Sequence, residues 1–129
     1  MTALLVLGSN CGPRRENILK ALESLRLHCR ICRVSPIYES PDCLGSGKQY
    51  LNAVVEVDTE LDIEALGHLI KKYERGAGRD EESRRRQDVP IDIDIVTCNG
   101  YVCRPADFHA AYFQEGLGKM HVNVKNCVN

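Results

Sequence analysis

The chain has 129 residues, and its 17 basic and 18 acidic residues give a formal net charge of −1. This length fits one domain of common size with a single hydrophobic core, so we treat residues 1–129 as one domain. The balanced charge argues against general attraction to nucleic acid or to a membrane surface. Chemistry on phosphate groups would therefore depend on local clusters of side chains.

The first predicted element is a buried strand formed by the mostly apolar residues 1–7. No basic segment precedes it, and Gly8, Ser9 and Asn10 end it well short of a signal peptide or a membrane span. The 7 cysteines are an odd number without an export signal, which favours reduced thiols over a disulfide framework. We therefore expect a cytoplasmic protein that makes no membrane contact.

Two amphipathic helices are predicted from apolar residues at helical spacing. The first covers residues 14–27 and follows Pro13, a residue suited to a first helical turn. The second begins at Asp62 and is ended by Gly76 and Gly78. Each helix should turn its apolar side toward a sheet.

Further strands are predicted over residues 29–39, 50–57 and 90–96, with Val102 and Cys103 as a short addition. Between the first two of these, residues 40–49 contain Pro41, Gly45 and Gly47, which predicts a mobile loop. Residues 79–89 are predicted to form a highly charged loop.

The resulting element order, β-α-β-β-α-β, is that of the ferredoxin-like fold in the α+β class. In that fold a four-stranded antiparallel sheet carries two helices on one face. The fold by itself implies no function. Beyond Pro105 the sequence predicts no regular element.

The strand at residues 90–96 alternates isoleucine with Asp92 and Asp94. Successive side chains of a strand point to opposite faces, so both carboxylates share one face, ~7 Å apart at the Cα level. Like charges on one face repel, and a bound Mg²⁺ would turn that repulsion into a favourable interaction. A strand with one solvated face gives the same alternation, so the pattern alone leaves both interpretations open.

Four short motifs occur in a fixed order along the chain: Gly8-Ser9-Asn10, the segment of residues 34–41, Tyr50-Leu51-Asn52-Ala53 and Asp92-Ile93-Asp94. In this order and at these separations they resemble the 6-hydroxymethyl-7,8-dihydropterin pyrophosphokinase family of the folate pathway. The resemblance covers residues 3–98. Four motifs in register are far more specific than any one of them.

The resemblance implies a kinase that transfers pyrophosphate from ATP to the hydroxymethyl group of a reduced pterin and releases AMP. It implies that Asp92 and Asp94 hold two Mg²⁺ ions that bridge the ATP phosphates. Arg79 matches the first arginine of the family's catalytic loop. The residues that match positions near the nucleotide are Glu74, Arg104 and His109.

The family's pterin pocket is matched by Pro41, Leu44, Gly45, Tyr50 and Asn52. In such a pocket an aromatic ring stacks on the flat heterocycle, glycine lets backbone approach it, and an amide reads its polar edge. Without the resemblance, Tyr50 and Asn52 are equally well explained as the start of a strand with one hydrogen-bonded polar group.

Several positions differ from the family pattern. Val89 lies where a phosphate-contacting arginine is expected, and Arg86 lies where an aromatic residue is expected. Glu115 replaces a second arginine, and Leu117 replaces the second aromatic ring of the pterin pocket. The rings that could substitute for it are Phe108, Tyr112 and Phe113. The region from about residue 104 is therefore expected to be a divergent or shortened form of the family's C-terminal part.

We expect an enzyme that acts as a monomer on ATP and hydroxymethyldihydropterin and has no nucleic-acid partner. One alternative is a paralogue that binds ATP and a pterin-like ring but turns over poorly. Another is a ferredoxin-like module that binds RNA or a small effector. An RNA reader of that kind presents aromatic residues on its central strands, and here these strands offer chiefly Tyr38 and Tyr50.

Overall fold

The computed structural model describes residues 1–41 and 47–122, with side chains up to residue 120. Its strands are β1 (Thr2–Ser9), β2 (Arg30–Val34), β3 (Tyr38–Pro41), β4 (Gln49–Asp58), β5 (Asp92–Cys98), β6 (Tyr101–Val102) and β7 (His121–Val122). Its helices are α1 (Arg14–Arg26), α2 (Ile63–Gly76), α3 (Glu81–Arg85), α4 (Pro105–His109) and α5 (Ala111–Gly118). No helix within the described ranges is both long and apolar enough to cross a bilayer.

The strands form one open sheet in which every pairing is antiparallel. The order across the sheet is β6-β5-β1-β4-β2-β7, and β3 also pairs with β4. The long strands β1 and β4 lie at the centre, where Val6 is opposite Val54. β5 lies on the other side of β1, so the Asp92/Asp94 strand is next to the strand that ends in Gly8-Ser9.

The predicted strand over residues 29–39 is wrong in its continuity, because the structure divides it into β2 and β3. Ser35 lies at the break, where its backbone N–H donates to the carbonyl of Val54 at 2.8 Å. The Ser35 hydroxyl then accepts from the Val54 N–H, also at 2.8 Å. The next residue, Pro36, has no N–H to continue a ladder. β4 therefore pairs with two short strands in succession.

The first face of the sheet is covered by α1 and α2, as their predicted apolar sides require. α1 begins at Arg14, where the sequence predicts it, and buries Ile18 and Leu25. α2 is capped by Asp62, whose side chain accepts from the N–H of Ala65 at 2.8 Å. The strand residues in this core include Leu5, Leu7, Val55, Val57 and Ile93.

The second face of the sheet carries helices as well, which the sequence does not predict. α5 places Phe113 against Val6, Val54 and Val96 in a separate apolar cluster, and Phe113 is fully buried. The hydroxyl of Tyr38 donates to the carbonyl of Tyr112 at 2.6 Å and ties α5 to β3. Residues 105–118 therefore enclose part of the face that bears the two aspartates.

The charged segment 79–89 is not wholly a loop, because it contains α3. The side chain of Asp80 accepts from the N–H of Ser83 at 2.8 Å, and the Ser83 hydroxyl accepts from the N–H of Asp80 at 3.0 Å. This reciprocal pair is a capping box, and Ser83 is only 3% exposed. α3 is therefore a capped helix anchored by the buried Ser83, and its charged side chains are exposed.

Gly116 is predicted to be intolerant of any side chain. A Cβ atom there would lie 2.3 Å from the Tyr38 hydroxyl oxygen and 2.5 Å from Cγ2 of Val54. Because overpacking a fixed core typically costs about 1–3 kcal/mol, Gly116→Ala should lower the free energy of unfolding by that amount in urea titrations. Gly118→Ala is the matched control, since no atom lies within 4 Å of its Cβ position. Equal stability of the two variants would contradict the packing of α5 on β3 and β4.

Candidate functional site

Asp92 and Asp94 lie on the second face of the sheet, opposite Gly8 and Val6 of β1 respectively. Their side chains are 34% and 21% exposed. Burial, followed by the charge of Asp92, raises the pKa of Asp94 to about 7. Burial thus disfavours the charged form of Asp94, and two partly buried carboxylates on one strand face are a donor set that suits a hard cation.

Two arginines lie beside these carboxylates. Nη1 of Arg79 lies 2.5 Å from Oδ1 of Asp92, and Nη1 of Arg104 lies 3.8 Å from Oδ1 of Asp94. Arg79 comes from the segment after α2, and Arg104 precedes α4. The structure thus brings together four of the residues that the sequence singles out for metal, nucleotide and catalysis.

Glu74 is the third carboxylate near this cluster, and it is only 8% exposed. Its Oε2 atom accepts from the backbone N–H of Ile93 at 2.8 Å and lies 3.7 Å from Nη1 of Arg79. β6 pairs with β5 only at Thr97 and Cys98, so Glu74 satisfies an N–H that has no strand partner. Burial raises the pKa of Glu74, while the Ile93 N–H and Arg79 act in the opposite direction. Its observed contacts make it a support for β5 and Arg79.

A cavity of about 470 Å³ opens on the second face above Gly8. It is lined by β-strand residues, including Ser40, Pro41, Tyr50, Asn52, Asp92 and Asp94, and by residues from 104–112. The Asn52 side-chain amide donates to the Ser40 hydroxyl at 2.6 Å and is thereby oriented. A Cβ atom at Gly8 would lie 3.3 Å from the Tyr50 ring, so glycine lets this ring lie close to β1. Pro41, Tyr50 and Asn52, the described members of the predicted pterin pocket, all line the cavity.

Of the three aromatic residues considered as the second ring of that pocket, Tyr112 is the one that lines the cavity. Phe113 is 0% exposed inside the second apolar cluster, and the Phe108 ring packs on it at 5.7 Å between centroids. Leu117 also packs against that cluster. The Tyr112 hydroxyl donates to Asp107 at 2.5 Å, and Asp107 also accepts from Nε of Arg104 at 2.5 Å. Tyr112 is thereby linked to the carboxylate cluster.

A second cavity of about 270 Å³ lies on the other side of the carboxylates. Its lining combines the acidic residues with several cations, and consists of Lys71, Glu74, Arg75, Arg79, Arg84, Asp92, Ile93, Asp94 and Arg104. Asp92, Asp94 and Arg104 line both cavities. Two ligands, one in each cavity, would therefore meet at the aspartates.

Three further predicted site residues have different outcomes. His109 is exposed, its ring packs edge-on against Phe108 at 5.2 Å, and it lines neither of the two cavities. Leu44 and Gly45 lie outside the described residues, as does half of the loop predicted over residues 40–49, whose two ends belong to β3 and β4. Their roles in the pterin pocket stay predictions.

The segment that precedes β5 is fastened by Asn10. The Asn10 side chain donates to the carbonyl of Gln87 at 2.8 Å and accepts from the N–H of Val89 at 2.6 Å. Lys48 forms an ion pair with Asp88 and donates to the carbonyl of Arg86 at 2.9 Å. Val89, the position of the missing arginine, lines neither cavity.

Some residues around the cavities were not singled out as site residues from the sequence. They are Gly8, Ser40, Lys71, Arg75 and Asp107. Gly8 belongs to a motif that was recognised, so its place beside Tyr50 had a sequence signal. The others contribute through contacts between distant segments, for which a single sequence contains no periodic signal.

Comparison with known proteins agrees with this geometry. The family model described as 7,8-dihydro-6-hydroxymethylpterin-pyrophosphokinase (HPPK) matches residues 4–121. The 2-amino-4-hydroxy-6-hydroxymethyldihydropteridine pyrophosphokinase of Porphyromonas gingivalis is 38% identical over 101 residues, which are 75% of this chain and 69% of that protein. The enzyme of the same name from Aquifex aeolicus is 39% identical over 105 residues, covering 80% of this chain and 64% of the relative.

A much longer relative also matches. A folic acid synthesis protein of Dictyostelium discoideum is 36% identical over 104 residues, which are 80% of this chain but only 16% of that protein. The chain thus spans a small part of this relative and about two thirds of the two bacterial ones. The family model, which matches most of the chain, confirms the resemblance read from the four motifs. The chain belongs to the 6-hydroxymethyl-7,8-dihydropterin pyrophosphokinase family.

Proposed function

We propose that this chain transfers pyrophosphate from ATP to 6-hydroxymethyl-7,8-dihydropterin and forms AMP and the pterin diphosphate used in folate synthesis. The main support for this proposal is that Asp92 and Asp94 line two cavities whose other lining residues differ in chemistry. One is lined by aromatic and amide groups that suit a flat heterocycle, and the other by cations that suit phosphates. The reaction needs these two ligands to meet at one point.

Asp92 and Asp94 would hold Mg²⁺, with two ions expected. Bound there, Mg²⁺ supplies neutralisation of the phosphate charge and orientation of the transferring group. The described residues contain no cluster of three or more His, Cys, Asp or Glu side chains placed to hold a metal ion. The remaining ligands would therefore be phosphate oxygens and water, as is common for Mg²⁺.

The protein contributes orientation and electrostatics. The hydroxymethyl oxygen forms a bond to the β-phosphorus while the bond from that phosphorus to the AMP oxygen breaks. AMP keeps that electron pair, and the hydroxyl proton goes to solvent. Arg79 and Arg104 are close enough to the aspartates to contact phosphate oxygens once the cation has neutralised their partners. No covalent intermediate is required, and a loose transition state needs little help from a base.

In the larger cavity, we place the pterin between Tyr50 and Tyr112, with Asn52 reading its polar edge. Both rings line the cavity, and Asn52 is oriented by Ser40. Tyr112 and Leu117 both pack against the second apolar cluster, but Tyr112 lines the cavity and Leu117 does not, so Tyr112 would supply the second ring. Compared with the family pattern, the second aromatic ring would then come from residue 112 of α5 instead of residue 117.

Tyr112→Ala should weaken binding of the pterin substrate. A stacked aromatic ring contributes roughly 1–1.5 kcal/mol, so the dissociation constant should rise about tenfold in calorimetry with hydroxymethyldihydropterin and α,β-methylene-ATP. Tyr112→Phe keeps the ring and removes the hydroxyl that donates to Asp107, so it should bind within about threefold of the unaltered protein. If the alanine variant bound as tightly as the phenylalanine variant, the second ring would have to come from elsewhere.

We further propose that the sheet and helices form the ferredoxin-like arrangement, to which the strand order β5-β1-β4-β2 corresponds. The additional strands and α4 and α5 are then extensions of that core. A monomeric, cytoplasmic enzyme without a nucleic-acid partner remains part of the proposal. Sedimentation of the protein with and without substrates would test the monomeric state.

The function is tested by one coupled assay. The protein should release AMP from ATP only when hydroxymethyldihydropterin and Mg²⁺ are both present. Formation of ADP instead of AMP would indicate ordinary phosphoryl transfer and would contradict the proposal. No AMP, together with calorimetric binding of both ligands, would favour the weakly active paralogue, for which the substitution at Val89 is the specific reason.

A further inference from the structure

The smaller cavity has more positive charge than its two arginine–aspartate pairs account for. Five cations line it, namely Lys71, Arg75, Arg79, Arg84 and Arg104. Arg79 and Arg104 are paired with Asp92 and Asp94. Lys71, Arg75 and Arg84 make no ion pair with any carboxylate among residues 1–41 and 47–120. Three unpaired cations at one concave wall suit an anion with several charges, such as a polyphosphate.

Arg84 differs from the other two because it comes from a separate element. Lys71 and Arg75 belong to α2, whereas Arg84 belongs to the short helix α3. That helix is fixed by the Asp80–Ser83 capping box, and Ser83 is its buried residue. The backbone of Arg84 is also held, since its N–H donates to the carbonyl of Asp80 at 3.1 Å. Its guanidinium therefore extends from an ordered base into the cavity.

The neighbours of Arg84 cannot replace it at this wall. Arg86 is held by Glu82 and Asp88, both at 2.9 Å. Arg85 lines neither cavity, although it lies on the same helix and is also exposed. Val89 is apolar, and Asn10 fixes its backbone. Among residues 80–89, Arg84 is thus the arginine that lines the cavity and has no carboxylate partner.

We propose that Arg84 is a catalytic residue of this chain, whose guanidinium binds the ATP polyphosphate opposite Asp92 and Asp94 and stabilises the charge that develops as pyrophosphate leaves AMP. The inference rests on the proposed function and names the residue that supplies the positive charge absent at Val89. A guanidinium offers two parallel N–H donors to phosphate oxygens, so it both binds and orients the group. Such a contact strengthens as charge develops on those oxygens.

The test compares Arg84→Gln with Arg85→Gln, a matched control one residue away on α3. The first variant should raise the dissociation constant of Mg²⁺-bound α,β-methylene-ATP about tenfold and lower the turnover number for AMP formation about a hundredfold. The second should change neither by more than about threefold. Arg84→Lys should restore part of the binding but little of the turnover, because lysine keeps the charge and loses the fork.

Two outcomes separate this inference from the proposed function. If the unaltered protein forms AMP and Arg84→Gln behaves like Arg85→Gln in both measurements, the assignment of Arg84 is overturned while the function stands. If the unaltered protein forms no AMP, the function fails, and calorimetry alone decides. In that case, weaker binding of α,β-methylene-ATP by Arg84→Gln than by Arg85→Gln would still support a contact between Arg84 and the phosphates. Equal binding by the two variants would overturn that contact.

Discussion

Asp92→Asn and Asp94→Asn should each reduce Mg²⁺-dependent AMP formation by about a hundredfold or more without unfolding the protein. Asparagine keeps the shape of the side chain but loses the negative charge that attracts a divalent cation. Both side chains lie on the face of β5 that borders the cavities, and neither belongs to the main core. The loss should therefore appear in metal binding and turnover, with little change in secondary structure.

The Asp94 variant also has an expected effect on stability, and its sign follows from the raised pKa of about 7. Between the ordinary aspartate pKa and about pH 7 the folded protein holds a proton that the unfolded chain releases, so stability falls as pH rises through this window. Above pH 7, the ionised carboxylate destabilises the metal-free fold. Asp94→Asn removes that charge, so its free energy of unfolding at pH 8 without Mg²⁺ should exceed that of the unaltered protein by roughly 1–3 kcal/mol.

Urea unfolding at pH 5 and pH 8, with and without Mg²⁺, measures how stability depends on pH and how much bound Mg²⁺ adds to it. Mg²⁺ should stabilise the unaltered protein at pH 8 and have little effect on either variant. Asp58→Asn is the control, because Asp58 pairs with Arg30 at 3.4 Å at the far end of β4 and lines neither site cavity. If Asp94→Asn retained near-native turnover at limiting Mg²⁺, these carboxylates would not be the metal ligands.

The carboxylate strand could be predicted from sequence because its signal is local. Alternation along residues 90–96 fixes which side chains share a face, and the pairing of β5 with β1 keeps that relation. The start of α2 was readable for the same reason, since Asp62 caps the helix three residues before Ala65. Four motifs at family spacing then indicated the rest of the pocket, including Tyr50 and Asn52.

The C-terminal side of the pocket could not be predicted, because its determinants are contacts over long separations. Tyr38 holds the carbonyl of Tyr112 across 74 positions of sequence, and Phe113 packs on Val6 and Val54. Nothing in the local pattern of residues 105–118 distinguishes Tyr112 from Phe113 as the ring that faces the cavity. Packing distinguishes them, since the Phe113 ring is fully buried and Tyr112 lines the cavity.

The charged segment before β5 is a different case, because a local signal was present. Asp80 and Ser83 have the spacing of a capping box, which indicates the start of a helix. The density of charge in residues 79–89 made a solvated loop the simpler interpretation. The ordered helix matters for function, because it determines which of three successive arginines reaches the cavity.

Arg79→Gln should have opposite effects on metal binding and on turnover. Nη1 of Arg79 lies against Asp92, so in the metal-free protein it occupies part of the space that a cation would take. Its removal eliminates a competing positive charge, and Mg²⁺ alone should bind several-fold more tightly in calorimetry. AMP formation should nevertheless fall roughly a hundredfold, since the arginine is then unavailable to the phosphates.

The same substitution should destabilise the metal-free protein, because Glu74 and Asp92 lose their shared cation. Glu74 is nearly buried, so leaving it without Arg79 should cost about 1–3 kcal/mol, and Mg²⁺ should recover part of that loss. Arg84→Gln is the contrast, since Arg84 has no carboxylate partner and its loss should leave binding of Mg²⁺ alone unchanged. Weaker binding of Mg²⁺ alone to Arg79→Gln would contradict the competition between guanidinium and metal and would make Arg79 an organiser of the metal site instead.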